Sequence, residues 1–263
     1  MRRIQFIELH EQPWFPRFLR DDVTDTIQCA LNFSAAYASI VPLFRRALQS
    51  VGGHSVIDLC SGAGGPWRGL ARRLGREVAG FHVFLTDKFP NVAAFRNVTG
   101  ASHVSIGFCE QSVDARAVPA ELAGFRTFFS AFHHFAPAEA RAIIRNTVDA
   151  QQGIGVFEIT RRSVPALLAM VLWALSPLVF TAFVRPFRWS RLFFTYLFPV
   201  IPFVLLFDGI VSCLRTYRPA ELSELVDAVG ATAYRWQAGE FRLSPFRTPI
   251  TYLIGVPCAS PGD

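Results

Sequence analysis

His54-Ser55-Val56-Ile57-Asp58-Leu59-Cys60-Ser61-Gly62-Ala63-Gly64-Gly65-Pro66 decides how the chain is read. A short β-branched apolar run ends in an acid, and a glycine-rich turn follows. Trp67-Arg68-Gly69-Leu70-Ala71-Arg72-Arg73-Leu74 then continues with helical spacing. Strand, tight turn and helix form the first unit of a nucleotide-binding α/β fold. Glycines in the turn allow positive φ and remove the Cβ atoms that would keep a ligand away. The helix presents unpaired N–H groups at its start. The turn lacks the spacing of the dinucleotide fingerprint, and no Gly-Lys-Ser/Thr follows to make a P-loop.

Outward from this unit the same grammar repeats. Phe81–Thr86 reads as a strand ending in Asp87, followed by Lys88. From that tip a carboxylate can accept hydrogen bonds from both hydroxyls of a ribose, or else cap the next helix. His103–Phe108 gives a third strand, and the loop after it carries Asp114 and Ala115. Phe125–Ala131 is an almost unbroken apolar run, as expected of a strand buried on both faces. It opens into Ser130-Ala131-Phe132-His133-His134-Phe135. A helix over Pro137–Ala150 and a strand over Gly153–Glu158 follow. Near the end, Pro219 starts a helix that Gly230 stops, and Thr232–Trp236 and Pro249–Val256 read as two last strands.

The set resembles the class I S-adenosylmethionine-dependent methyltransferases, whose motif I is a hydrophobic strand followed by D-x-G-x-G-x-G. Asp58, Gly62 and Gly64 match that pattern, and Cys60 stands where the family usually has its first glycine. The resemblance covers roughly residues 50–160 and 216–258. It implies a Rossmann-like α/β fold with a seven-stranded sheet whose last strand is antiparallel. It also implies S-adenosyl-L-methionine as cofactor, held by Asp58, Cys60, Ser61, Gly62, Gly64, Asp87, Lys88, Asp114, Ala115 and Ser130. Asp114 is the best match to the acid that meets the adenine amino group. The pattern is closer to bacterial small-molecule enzymes than to those acting on RNA, DNA or protein.

At 263 residues the chain fits one large domain, or a domain with an insertion. The net charge of +6 comes from arginine except for Lys88. No basic run interleaved with aromatics appears on one element, so nucleic acid is not expected as a partner. The cysteines (Cys29, Cys60, Cys109, Cys213, Cys258) are odd in number and scattered, without zinc or disulfide spacing, which fits a reduced cytosolic compartment. No apolar leader is visible in the first residues. Residues 1–50 are expected to form an amino-terminal lid, with helices over Asp21–Gln28 and Tyr37–Leu48 and an extended aromatic piece around Trp14 and Phe15.

The hydrophobic excess is concentrated between the fifth strand and the last helix, in residues 163–215. Val164–Val184 holds 21 consecutive uncharged residues, and Leu192–Phe207 holds 16 more before Asp208. Both ends of this insertion return to the same domain, so two complete crossings would carry Arg185, Arg188 and Arg191 to the far side of a membrane, which basic residues resist. The favoured reading is a hydrophobic helical hairpin embedded in the near leaflet at the cytoplasmic face, its arginines reaching the headgroups. Two full spans, or a soluble cap covered by another layer, are the alternatives.

Methyl transfer from a sulfonium requires alignment and exclusion of water more than covalent help. A catalytic triad, metal cluster or nucleophilic cysteine is therefore not expected. A hydroxyl acceptor must lose its proton, and histidine suits that role near neutral pH. His133 and His134, at the carboxyl edge of the sheet, are the candidates; in an extended segment they would point to opposite sides. Glu158 is a second cleft candidate. The expected function is methyl transfer to a lipophilic small molecule or lipid drawn from a membrane. The rivals are a non-catalytic membrane-associated protein that keeps the fold and, further off, a nicotinamide-dependent reductase.

Overall fold

The computed structural model describes residues 1–101, 104–242 and 249–258. Its elements run α1 (Arg17–Phe33), α2 (Val41–Ser50), β1 (Ser55–Asp58), α3 (Trp67–Leu74), β2 (His82–Leu85), α4 (Val92–Gly100), β3 (Ser105–Phe108) and β4 (Phe125–Phe129). They continue with α5 (Pro137–Asp149), β5 (Ile154–Glu158), α6 (Val164–Leu175), α7 (Pro177–Phe180), α8 (Trp189–Leu192), α9 (Val200–Arg215), α10 (Pro219–Asp227), β6 (Tyr234–Phe241) and β7 (Ile250–Pro257). His103, expected at the head of the third strand, lies outside the described residues.

The strands form one sheet in the order β3-β2-β1-β4-β5-β7-β6. β1 to β5 pair in parallel, and β7 runs antiparallel to both β5 and β6. Chain direction across the sheet reverses between β1 and β4, which opens a crevice beyond their carboxyl ends. β4 and β5 are buried along their whole length, because helices cover both faces. On one face Phe44 of α2 and Trp67 of α3 pack on Phe125, Phe129 and Phe157. On the other, Ile143 and Ile144 of α5 and Leu222 and Leu225 of α10 cover Phe128 and Val156.

The glycine turn has the backbone its sequence demands. Gly62 and Gly64 have φ of +56° and +99°. A Cβ on Gly64 would sit 2.9 Å from Val98 Cγ2, so α4 can approach only a glycine. Cys60 also lies in the left-handed region, at φ +57°. The position keeps a glycine-like conformation although a side chain occupies it, at a cost of about 1 kcal/mol.

The amino-terminal part divides in two. Residues 1–16 form an irregular strap, and α1 is longer than the expected Asp21–Gln28. A small core of Phe15, Leu19, Val23, Ile201, Val204 and Leu205 fastens α1 to α9. The helical run Val164–Phe183 is long and apolar enough to cross a membrane by length and composition. The difference from expectation lies in the arginines between the insertion's two apolar runs, which were to reach the headgroups. Phe180 packs on Phe33 at the end of α1, with ring centroids 5.2 Å apart. Arg188 and Arg191 do not reach outward to headgroups. Arg191 is buried and pairs with Asp22 and Asp25 of α1, and Arg188 lies 3.2 Å from Asp25. The acids at Asp21, Asp22 and Asp25 share one stretch of α1, and they hold the basic turn against the body. Only Arg185 of the three stays exposed.

Candidate active site

Two cavities open at the carboxyl end of the sheet. The first, about 260 Å³, is lined by Cys60 and Gly62 of the glycine turn, Asp87, Lys88 and Phe89 after β2, and Asp114, Ala115 and Arg116 after β3. Residues of α1 and the strap close it, among them Arg20 and Glu11. Asp87 accepts hydrogen bonds from the Gly62 and Phe89 N–H groups, each at 2.7 Å. It is not the cap of α4: the Asn91 side chain accepts from the Ala94 N–H in that role. Asp114 accepts from Arg116 through Nε and Nη2, and these bonds hold its carboxyl down at about 2.

Asp58, Ser61 and Gly64 do not line this cavity. Asp58 is buried and accepts from Ser61 Oγ at 2.6 Å and Thr127 Oγ1 at 2.7 Å. Its side chain points back into the sheet, clasping the turn to β4. Burial dominates its environment and raises its carboxyl to about 7. Ser130 is likewise displaced: its Oγ lies 2.6 Å from Tyr37 Oη, and it borders the second cavity instead.

The second cavity is larger, about 690 Å³, and mostly apolar. α1 contributes Val23, Ile27 and Leu31, α6 contributes Ala166, Ala169, Met170 and Trp173, and α9 contributes Leu205 and Gly209. Gly209 lets the two insertion helices meet, since a Cβ there would lie 2.9 Å from Met170 Sδ. His10 and His134 line both cavities.

Around these two histidines converge Glu8 and Glu11 from the strap, His133, Glu158 at the end of β5, and Asp208 and Arg215 from α9. His133 and His134 occupy a 3-10 turn over Phe132–His134 rather than an extended segment. Their rings are therefore 4.3 Å apart and face the same cluster, not opposite sides. His133 is buried, with Nδ1 at 2.7 Å from Glu158 Oε2 and Nε2 at 3.4 Å from Glu8 Oε1. Burial disfavours its cation, but the two carboxylates outweigh burial and raise its pKa to about 10. His10 Nδ1 lies 2.7 Å from Asp208 Oδ2, and here too the acids overcome burial, giving about 9. Against burial, which raises both acids, His134 foremost, with His133 and His10, pulls Glu8 well below the usual carboxylate range, and His134 with Arg215 pulls Glu11 down to about 2. His134 Nδ1 abuts Glu11 Oε1 and lies 3.5 Å from Glu8 Oε2.

The strap is anchored by main-chain and guanidinium contacts. Leu9 N–H donates to Asp208 Oδ1 at 2.7 Å, and Arg3 donates to the carbonyls of Arg215, His133 and Phe135. Arg20 donates to the carbonyls of His10 and Gln12. Trp14, on the outer side of the strap, stays 65% exposed and lines neither cavity.

No protein-family model matches this sequence, and no curated protein matches it. Solved structures do. Human N-acetylserotonin methyltransferase in complex with SAM is similar over 97% of this chain, at 15% identity and a TM-score of 0.54. The chain has the class I methyltransferase fold. PigF, solved with SAH, is similar over 94% of it at 16% identity and a TM-score of 0.50. The chain spans 60% of the length of each of those proteins. At these identities the likeness extends to the fold and its crevice, and the site stands on its own geometry.

Of the residues expected at the cofactor, Cys60, Gly62, Asp87, Lys88, Asp114 and Ala115 line the first cavity. Glu8, His10, Glu11, Asp208 and Arg215 were not anticipated. The signal for Asp208 was present: one acid inside an apolar helix requires a buried partner.

Proposed function

We propose that this protein transfers a methyl group from S-adenosyl-L-methionine to a hydroxyl of a lipophilic acceptor at a membrane surface. The observation that carries the reading is the shared wall: His10 and His134 border both the polar cavity at the glycine turn and the apolar cavity under α6. The first cavity fits the cofactor chemically. Asp87 accepts two N–H groups at the tip of β2 and retains lone pairs for two ribose hydroxyls. Bound there, the cofactor supplies an electrophilic methyl group.

The chain's own residues handle the proton and the geometry. Glu11 orients His134 through Nδ1 and leaves Nε2 for the acceptor hydroxyl, in the carboxylate–imidazole arrangement common to general bases. His133 is pinned between Glu158 and Glu8 and kept cationic, so it serves as a fixed charge rather than a base. The strap and α6 close the sides and exclude water.

An apolar acceptor is supported by the walls of the second cavity, and a membrane source by the outer face of the insertion. Leu168, Leu172, Val179, Phe183, Trp189 and Leu197 are all more than 60% exposed. Because the run lies against α1 and α9, this face suits shallow contact with the cytoplasmic leaflet better than a crossing. Calorimetry with S-adenosylmethionine tests the first half: no binding, or binding unaltered by Asp87→Ala, would sink the enzyme reading. Label transfer from methyl-labelled cofactor into a membrane lipid extract tests the acceptor. Flotation with phosphatidylglycerol-containing vesicles tests the location, and a protein that stays at the bottom of the gradient contradicts it.

A further inference from the structure

The cluster at the shared wall is short of permanent positive charge. Four carboxyl groups, Glu8, Glu11, Glu158 and Asp208, meet there, and among the described residues Arg215 is the only guanidinium that pairs with any of them. Three imidazoles make up the remaining partners. Glu8, His10 and His134 each offer one ligand atom, and those atoms lie within 4.8 Å of one another. Glu8 Oε2 is 4.0 Å from His10 Nδ1 and 3.5 Å from His134 Nδ1.

We propose that Glu8, His10 and His134 bind a divalent transition-metal ion, Zn²⁺ being the best match, at the junction of the two cavities, and that an ion held there withdraws His134 from its role as base. Two imidazoles and a carboxylate are the donor set that Zn²⁺ takes at about 2.0–2.2 Å. Bonds of that length put neighbouring ligand atoms roughly 3.4 Å apart in a tetrahedron. Closing the present spacing requires sub-ångström movements of side chains, two of which belong to an irregular strap. Coordination requires neutral imidazoles, so the dication replaces the positive charge that His10 gives up and proton release accompanies binding. Glu11 and Asp208 abut the same Nδ1 atoms of His134 and His10 and add carboxylate oxygens at the edge of the site. The cavities on either side give an ion a path to a position that is otherwise closed. The triad was invisible in the sequence because Glu8 and His10 are separated from His134 by most of the amino-terminal half.

The experiment is titration calorimetry of the full chain with ZnCl₂, in the absence of S-adenosylmethionine and acceptor, so that its result is independent of methyl transfer. One equivalent is expected to bind, with His10→Gln and Glu8→Gln each weakening it a hundredfold or more. Circular dichroism establishes that each variant is folded, and His134→Gln gives the same readout should either of them not be. No binding by the parent protein would overturn the proposal. So would an equivalent that persists undiminished in the folded variants, since ions held by Cys258 or other thiols would behave in that way.

Discussion

Asp208 Oδ2 lies 2.7 Å from His10 Nδ1, and the same carboxylate accepts the N–H of Leu9. One acid in an otherwise apolar helix thus holds the strap that carries Glu8, His10 and Glu11. Asp208→Ala leaves the His10 cation and two strap N–H groups without their acceptor. The expected loss is about 3–5 kcal/mol, the range for breaking a buried charge pair. Asp208→Asn, which keeps the shape, is expected to lose about 1–3 kcal/mol. Urea denaturation measures both, and an unchanged midpoint in the alanine variant would show that the strap is held some other way.

Cys60 adopts φ +57° where the resembling motif has glycine. Cys60→Gly relieves the left-handed strain and is expected to stabilise the chain by roughly 0.5–1 kcal/mol, after the extra freedom of glycine in the unfolded state is counted. Thermal denaturation reads this directly. A destabilised Cys60→Gly protein would mean that the thiol's packing outweighs its backbone strain.

Burial raises the carboxyl of Asp58 to about 7 and that of Asp25 to about 6. In the unfolded chain both titrate near 4. A carboxyl raised on folding favours the folded state below its unfolded pKa, and that contribution is lost as pH rises through the folded value. These two groups therefore make stability decline from about pH 4 to about pH 7. Asp58→Asn is expected to flatten that decline, with the unfolding free energy followed across the same range. An identical slope in the variant would contradict the assignment.

Gly209 lets α6 pack against α9, with Met170 filling the space beside it. Gly209→Val pushes α6 outward and intrudes on the apolar cavity. The KM for a lipophilic acceptor is expected to rise by about tenfold, as for a misfit of a methylene or two, while S-adenosylmethionine binding is retained. Equal losses in both would indicate a general collapse of the site.

Much of the sheet could be read in the sequence because each parallel strand is an apolar run ending at a turn. Asp87 and Asp114 could be placed because a residue just past a strand tip faces the crevice. Asp58 and Ser61 stand one step deeper, and their hydrogen bonds to each other and to Thr127 turn them inward. That distinction depends on which side of the pleat the strand ends, which composition does not reveal. The histidine pair was located, but a 3-10 turn reversed the expected divergence of its rings. Glu8, His10 and Glu11 lie in a stretch with no periodicity, and their partners Asp208 and Arg215 are close to 200 positions away. The basic turn was read as facing lipid because its arginines were not matched to Asp22 and Asp25. Those acids on one side of α1 were the available clue.

The strap has a consequence for the order of events during synthesis. Glu8 and His10 are translated before every group they bind, and Asp208 and Arg215 are among the last partners to appear. At ribosomal speeds of about 5–20 residues per second, the opening segment waits on the order of 10–40 s for them. The site is therefore completed only after α9 has left the ribosome. A bulky group attached to the strap would bear on that late docking step, although the strap lies far from α9 in the sequence.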